Sequence, residues 1–428
     1  MLSRLLPTPA DHPPAGVPAL RRNLFMHFMD GSFYVLGMSF VAVPTVYPVF
    51  VRELGGGSLA VGSVQVLWML GLNIPAAFMA LRMRRMPLFR GPMVYWSLVH
   101  RLMLLLSGAV AAIVVGRASP GSSVTLFLIL LFFTAFFGSL AGLPWFQVYS
   151  KTVPVRLRGR LMGLRQLSGS AVAALGGYAV GLIIAAVPFP YNFSSLFFTG
   201  FAFTMVSFVF LARVQEEPTT YPSPETEGKP DIVGEVTRIL RKDRNFRRFL
   251  ATDALLLMSL SAASFYPIHA MERFALPPSA AGTFSAVVMV SSVAANIVFG
   301  AVADHAGHRA TLIIVALCSA MAALTAFAAP NVFLYGFVFM FLAAAIHTHA
   351  ISRMPFVAEM SDEHERPLYI GITNTLTSPA LLTGVLWGLA VPYLGYAAVF
   401  VMTAAFGAAS ALLLRATVTD PRHQSRKG

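Results

Sequence analysis

Hydrophobic positions in this chain come in runs of about twenty residues, the length a helix needs to cross a bilayer, rather than in the narrow stripe of a half-exposed helix. Windows of that length predict spans at 24–51, 59–81, 91–116, 122–147, 161–187 and 192–212. A second set follows at 249–271, 279–302, 309–329, 331–354, 367–391 and 394–415. Between the sets lies one long polar stretch. Its first part mixes Pro218, Pro222, Pro224 and Pro230 with Glu216, Glu217, Glu225 and Glu227, a composition too polar and proline-rich for a packed core. Its second part repeats Ile232, Val233, Val236, Ile239 and Leu240 at helical spacing among Arg238, Arg241, Lys242, Arg244, Arg247 and Arg248. This predicts a basic amphipathic helix lying on an anionic bilayer surface. The expected organisation is a tail at 1–23, a six-helix bundle at 24–212, a linker with its amphipathic helix at 213–248, a second bundle at 249–415 and a tail at 416–428.

Composition agrees with the pattern: 57% of the 428 residues are hydrophobic and 11% are charged, outside the range of ordinary soluble domains. The class is an all-α integral membrane protein. A net charge of +13 would point to nucleic acid if the basic residues shared a soluble surface, but they lie between spans. Of 31 Lys and Arg, 27 fall on the side of the termini and linker. Arg52, Arg117 and Arg273 fall on the other, and Arg101 sits inside the third span. The positive-inside bias therefore predicts cytoplasmic termini and a cytoplasmic linker in a bacterial-type inner (plasma) membrane. The first twenty residues, with Pro7, Pro9, Pro13, Pro14 and Pro18, lack the apolar core of a signal peptide and read as a short disordered tail. The single cysteine, Cys318, excludes a disulfide framework within the chain and a cysteine metal site. No Walker loop, HExxH or GxSxG occurs, so no catalytic residue, metal or cofactor is assigned.

The two sets of spans repeat one design. Asp30 lies early in the first span, which ends at Tyr47-Pro48, and Asp253 lies early in the seventh, which ends at Tyr266-Pro267. Gly62 and Gly282 open the second and eighth spans, Asn73-Ile74 recurs as Asn296-Ile297, and Arg158 to Gly163 aligns with Arg366 to Gly371, which sets Gln166 opposite Asn374. Six plus six spans, parallel repeats and a long central linker resemble the major facilitator superfamily (MFS) of secondary transporters, over roughly residues 24–415. The most specific motif is the loop after the eighth span. It carries Gly300, Asp304, Gly307, Arg309 and Leu312 at the intervals of that family's loop signature, with His305 and His308 where arginine or lysine is usual. The first-half counterpart, around Arg82, Arg84, Arg85 and Pro87, keeps the positive charge and lacks the aspartate.

Small Gly300 and Ala303 allow a close helix approach, Gly307 permits a tight turn, and Asp304 can accept hydrogen bonds from an arginine or a helix N-terminus. The resemblance implies a cytoplasmic gate in which Asp304 pairs with Arg366, or with the start of the eleventh span, and releases it on opening. The plainer alternative is a solvated turn between Asp304 and Arg309.

Ionisable groups inside a bilayer cost several kcal/mol and so face a cavity, a partner or a substrate. His27, Asp30, Tyr34, Met38, Val41 and Thr45 follow helical spacing and give the first span a part-polar stripe. Asp30 suits proton or cation coupling, or else is an interfacial or capping carboxylate. Asp253, with leucines along its face, is a second candidate. Arg101 needs a partner: an anionic substrate group, or a carboxylate or backbone carbonyls within the fold, with His100 in the same network. In the tenth span His349 and Arg353 share a face, while His347 and His349 do not, so a pore-lining histidine fits better than a metal pair. His269 and Glu272 read as an outer gate or an interfacial pair. Gln147, Gln166, Asn374 and Thr377 can hydrogen-bond a solute or bridge helices. The arginine and glycine-proline motifs of the family's proton antiporters are not present.

The resulting expectation is a monomeric secondary transporter of a small organic solute, working by alternating access and open to proton coupling, with the lipid bilayer as its surroundings. Efflux of a drug or metabolite is the alternative within transport. A transporter-shaped sensor or assembly factor is the alternative outside it.

Overall fold

The computed structural model describes residues 17–83, 86–218, 232–362 and 365–421. Arg84 and Arg85, Pro222, Pro224, Pro230, Glu225 and Glu227, and most of both tails lie outside the described residues. The described chain is helical: α1 (Val17–Ser39), α2 (Val46–Glu53), α3 (Ser58–Met83), α4 (Arg90–Ile113), α5 (Pro120–Thr152), α6 (Val155–Ala186), α7 (Tyr191–Leu211), α8 (Ile232–Lys242), α9 (Arg244–Leu260), α10 (Phe265–Phe274), α11 (Ala280–Ala328), α12 (Val332–Glu359), α13 (Arg366–Thr377) and α14 (Thr383–Thr417). Single 3-10 turns at Ser261–Ser264 and Ser378–Leu382 join α9 to α10 and α13 to α14.

Nine helical stretches among the described residues are long and apolar enough to cross a membrane. Two of them, Ala280–Ala328 and Leu368–Thr417, run to 49 and 50 residues. At about 1.5 Å per residue each is over twice the length a bilayer needs. Both are broken once, at Gly307 (φ 86°) and Gly395 (φ 71°). A single positive-φ residue separates two helices there, a conformation that glycine adopts without a Cβ clash. Counting each break as a turn, and α1 with α2 as the first crossing, gives the expected twelve. Starts are set by side-chain caps: Ser119 accepts from Ser122 N before α5, Asn331 from Leu334 N before α12, and Asp243 from Phe246 N before α9.

The chain divides into two compact units, residues 1–42 with 67–222, and 43–66 with 223–428. In the first, α1 packs on α6 and α7, and α4 on α5 and α7. Gly37 and Gly200 make the α1–α7 crossing possible, since a Cβ on Gly37 would stand 2.9 Å from the Gly200 carbonyl and one on Gly200 3.0 Å from the Gly37 carbonyl. Glu216 departs from the solvated-linker expectation. Its carboxylate is enclosed at the N-terminus of α4, accepting from Phe89 N at 2.8 Å and Arg90 N at 2.6 Å, with Lys151 Nζ at 2.8 Å. A negative charge is stabilised there by the free N–H groups and the helix dipole.

In the second unit α11 packs on α12 and α14, and α9 on α14. α2 and the start of α3 belong here: Thr45 shares a 2.5 Å hydrogen bond with Ser285, Arg52 pairs with Glu272 at 2.8 Å, and a Cβ on Gly62 would stand 2.3 Å from the Gly384 carbonyl. The bilayer-surface expectation for the amphipathic helix changes. α8 ends at Lys242, Asp243 caps a new helix, and Ile239 is buried with Phe246, Leu250, Phe356 and Tyr369. Val236, Ile239 and Leu240 pack against protein, in one cluster with Phe246 and Leu250 of α9. Arg238 also reaches Glu365 at 2.7 Å.

One feature recurs inside both units. Near the start of α1, Asn23 Nδ2 donates to the Gln215 carbonyl at 2.9 Å and its Oδ1 accepts from Gln215 N at 3.0 Å. Near the start of α9, Asn245 makes the same double bond with Thr419, at 3.0 and 2.8 Å.

Candidate functional site

In the first unit, Asp30 on α1 lies 3% exposed in a cavity of about 190 Å³ that it lines with Tyr34, Ser97, His100, Arg101, Trp145 and Arg165 among others. Its hydrogen bond comes from Ser207 Oγ at 2.7 Å. Two guanidiniums flank it at longer range, Arg165 at 3.6 Å and Arg101 at 3.9 Å. Arg101 is held by the fold: Nε donates to the Thr204 carbonyl at 2.6 Å, Nη1 to the Ser97 carbonyl at 2.8 Å and Nη2 to Ser207 Oγ at 2.9 Å. Tyr34 stands beside it, its hydroxyl 3.3 Å from His100 Nε2, and His100 Nδ1 faces the Thr134 carbonyl at 2.9 Å. His27 is fully buried outside the cavity lining, 2.8 Å from Thr152 Oγ1 and edge-on to Tyr149.

Arg165 is the member that the sequence pattern hides. Positioned one turn inside the fifth span, it reads as one more cytoplasmic loop charge. Here α6 carries it against α1, where its Nε would be 1.9 Å from a Cβ on Gly31, so any larger residue there would displace the guanidinium. Its guanidinium lies 4.5 Å from the centre of the Trp145 ring, and its Nη1 is buried with no hydrogen-bond partner.

The second unit builds a tighter cluster. Arg353 of α12 grips Asp253 of α9, with Nε 3.0 Å from both carboxylate oxygens and Nη2 2.8 Å from Oδ2. Nη1 donates to Asn374 Oδ1 and Nη2 to Thr377 Oγ1, both at 2.8 Å, and His349 Nε2 stands 3.5 Å from Asp253. Asp253, His349 and Asn374, three of the predicted residues, thus meet around Arg353, which a loop-charge count also hides. Gln147 is half-buried, and Gln166 bonds Ser170 at 3.1 Å. His269 faces the Tyr335 hydroxyl at 3.1 Å, while Glu272 goes to Arg52 instead. Among the described residues no group of three or more His, Cys, Asp or Glu could hold a metal.

At the loop between the two parts of α11, Gly307 supplies the turn and Arg309 caps the end of α14, donating to the Leu414 carbonyl at 3.2 Å and the Arg415 carbonyl at 2.6 Å. Asp304 is exposed, and Arg366, at the start of α13, has a buried Nε without a partner. A Cβ on Gly300 would meet nothing within 4 Å, so the close helix approach expected there is not made in this structure.

Known proteins give the arrangement a context. The family model described as Major Facilitator Superfamily matches residues 31–266 and 254–428. A mutant of the nucleoside transporter NupG superposes with a TM-score of 0.70 at 12% identity, covering 93% of this chain and 100% of that one. The inward open xylose transporter XylE from E. coli gives 0.63 at 14%, with 93% and 96% covered. The human organic anion transporter MFSD10 gives 0.60 at 14%, with 94% and 100% covered. At such identities the likeness establishes the fold. No curated protein matches the sequence significantly.

Proposed function

Since this chain belongs to the major facilitator superfamily, we propose that it is a secondary active transporter carrying a small organic solute across the bacterial inner membrane by alternating access. The observation that supports this most is the cavity of about 190 Å³ in the first unit, where a buried carboxylate and two guanidiniums converge with aromatic side chains. Solved neighbours that carry a nucleoside or xylose by their names share the fold. Asp30 is the coupling carboxylate, buried in that cavity where it accepts from Ser207 Oγ at 2.7 Å. The loop around Asp304 and Gly307, with Arg309 and Arg366, forms the cytoplasmic gate. The termini lie in the cytoplasm, following the distribution of basic residues. The transporter works as a monomer.

The test is flux in proteoliposomes. Purified protein is reconstituted with an imposed proton gradient and offered a panel of labelled sugars, nucleosides, amino acids and organic acids. Wild-type protein accumulates at least one of them, and Asp30→Asn abolishes the gradient-driven part while leaving exchange. Absence of flux for the whole panel, with correctly inserted protein, would favour a sensor or assembly role and end the transport reading.

A further inference from the structure

The two units treat a buried aspartate differently, and the difference points to a ligand. In the second unit the charges cancel: Asp253 faces one guanidinium, and every nitrogen of Arg353 has a bond to Asp253, Asn374 or Thr377. In the first unit one carboxylate faces two guanidiniums, leaving a surplus of one positive charge. Neither arginine reaches Asp30 at hydrogen-bond distance, the approaches being 3.6 and 3.9 Å. Arg101 is satisfied by backbone carbonyls and Ser207, so the surplus falls on Arg165, which lines the cavity with Nη1 buried and unpartnered. Among the described residues no second carboxylate lines that cavity. An unpaired donor on a buried cation is costly to the fold, and an anion supplies what is missing.

We infer that the first-unit cavity binds a small organic monocarboxylate, held by the Arg165 guanidinium with its apolar body against Trp145 and Tyr34. The site is a built one, since Arg165 is buried beside the Trp145 ring, lines the cavity, and keeps an enclosed Nη1 without a hydrogen-bond partner among the described residues. Its volume of about 190 Å³ is of the order of a cavity that admits benzene, and so has room for a carboxylate on a ring or a chain of about six carbons. A single surplus charge matches a monoanion and not a phosphate dianion. That the bound anion is also the transported solute rests on the function proposed above; the binding itself does not.

Binding is therefore measured without flux. Full-length protein in detergent, at fixed pH and ionic strength, is titrated with benzoate, benzamide, benzylamine, acetate through hexanoate, and inorganic phosphate, reading tryptophan fluorescence and thermal midpoint. Benzoate or a member of the aliphatic series binds and raises the midpoint, while benzamide and benzylamine do not. Arg165→Gln weakens the carboxylate about ten- to hundredfold, the range for loss of hydrogen bonds to a charged group, and Arg165→Lys recovers part of it. Asp30→Asn, which raises the surplus, tightens carboxylate binding, so the sign is testable even where Arg165→Gln does not fold. Equal binding of benzamide, unchanged affinity in Arg165→Gln or Arg165→Lys, weaker binding in Asp30→Asn, a response to phosphate alone, or no response to any carboxylate would each overturn the inference. Carboxylate binding without any flux leaves the inference standing and removes the transport reading instead.

Discussion

Replacing Asp253 by Asn keeps the shape of the second-unit cluster and deletes its negative charge. The structure sets the scale. Arg353 makes three contacts of 2.8–3.0 Å with the two carboxylate oxygens, and an amide offers one oxygen where there were two. Losing about two charge-assisted bonds at roughly 1.5–3 kcal/mol each gives about 3–6 kcal/mol, in line with the roughly 3–5 kcal/mol typical of breaking a buried pair. Asn374 and Thr377 still hold the guanidinium and cannot neutralise it. The double variant Asp253→Leu/Arg353→Met removes both charges together and is expected to return to within about 2 kcal/mol of wild type. The assay is denaturant unfolding of purified protein in detergent, with hydrogen exchange on α9, α12 and α13 to locate the loss. A single-variant cost under about 1 kcal/mol, or a double variant no better than the single, would refute the view that this pair is a structural lock.

Two further outcomes follow from the same geometry. Glu216→Gln keeps an acceptor for Phe89 N and Arg90 N but removes the negative charge facing Lys151 and the helix end, so stability of the first unit should fall by about 1–3 kcal/mol, read as earlier exchange of the α4 amides; an unchanged profile would mean that the carboxylate contributes nothing at that helix end. Asp304→Asn leaves an exposed site and should lower solute flux at unchanged protein level if the loop gates the cytoplasmic side; equal flux would remove the gate role.

Much of the fold was legible because its signal is local. A run of about twenty apolar residues is a property of the sequence itself; the break at Gly307 falls between two predicted spans, while that at Gly395 falls just inside the start of the twelfth. Asp30, Arg101 and Asp253 were legible for the same reason, as charges in places that oppose them. Their partners were not. Arg165 and Arg353 each lie within about a turn of a predicted span end, where a basic residue is ordinary, and only packing of helices far apart in the sequence sets them against an aspartate. α8 shows another limit. An apolar stripe says that one side is covered, while Ile239 shows that the cover is protein and not lipid. Glu216 was hidden by its neighbours, since prolines and glutamates on either side gave no sign that this carboxylate alone closes a helix end.

The paired amides at Asn23 and Asn245 have a consequence for how such a protein can arise. An asparagine side chain carries a donor and an acceptor side by side, so it copies the edge of a peptide strand and fastens the exit of a chain segment to its own entrance. A segment tied off in this way needs nothing from a neighbour to finish its ends. Copied in tandem, each repeat keeps the knot while the buried chemistry between its ends diverges.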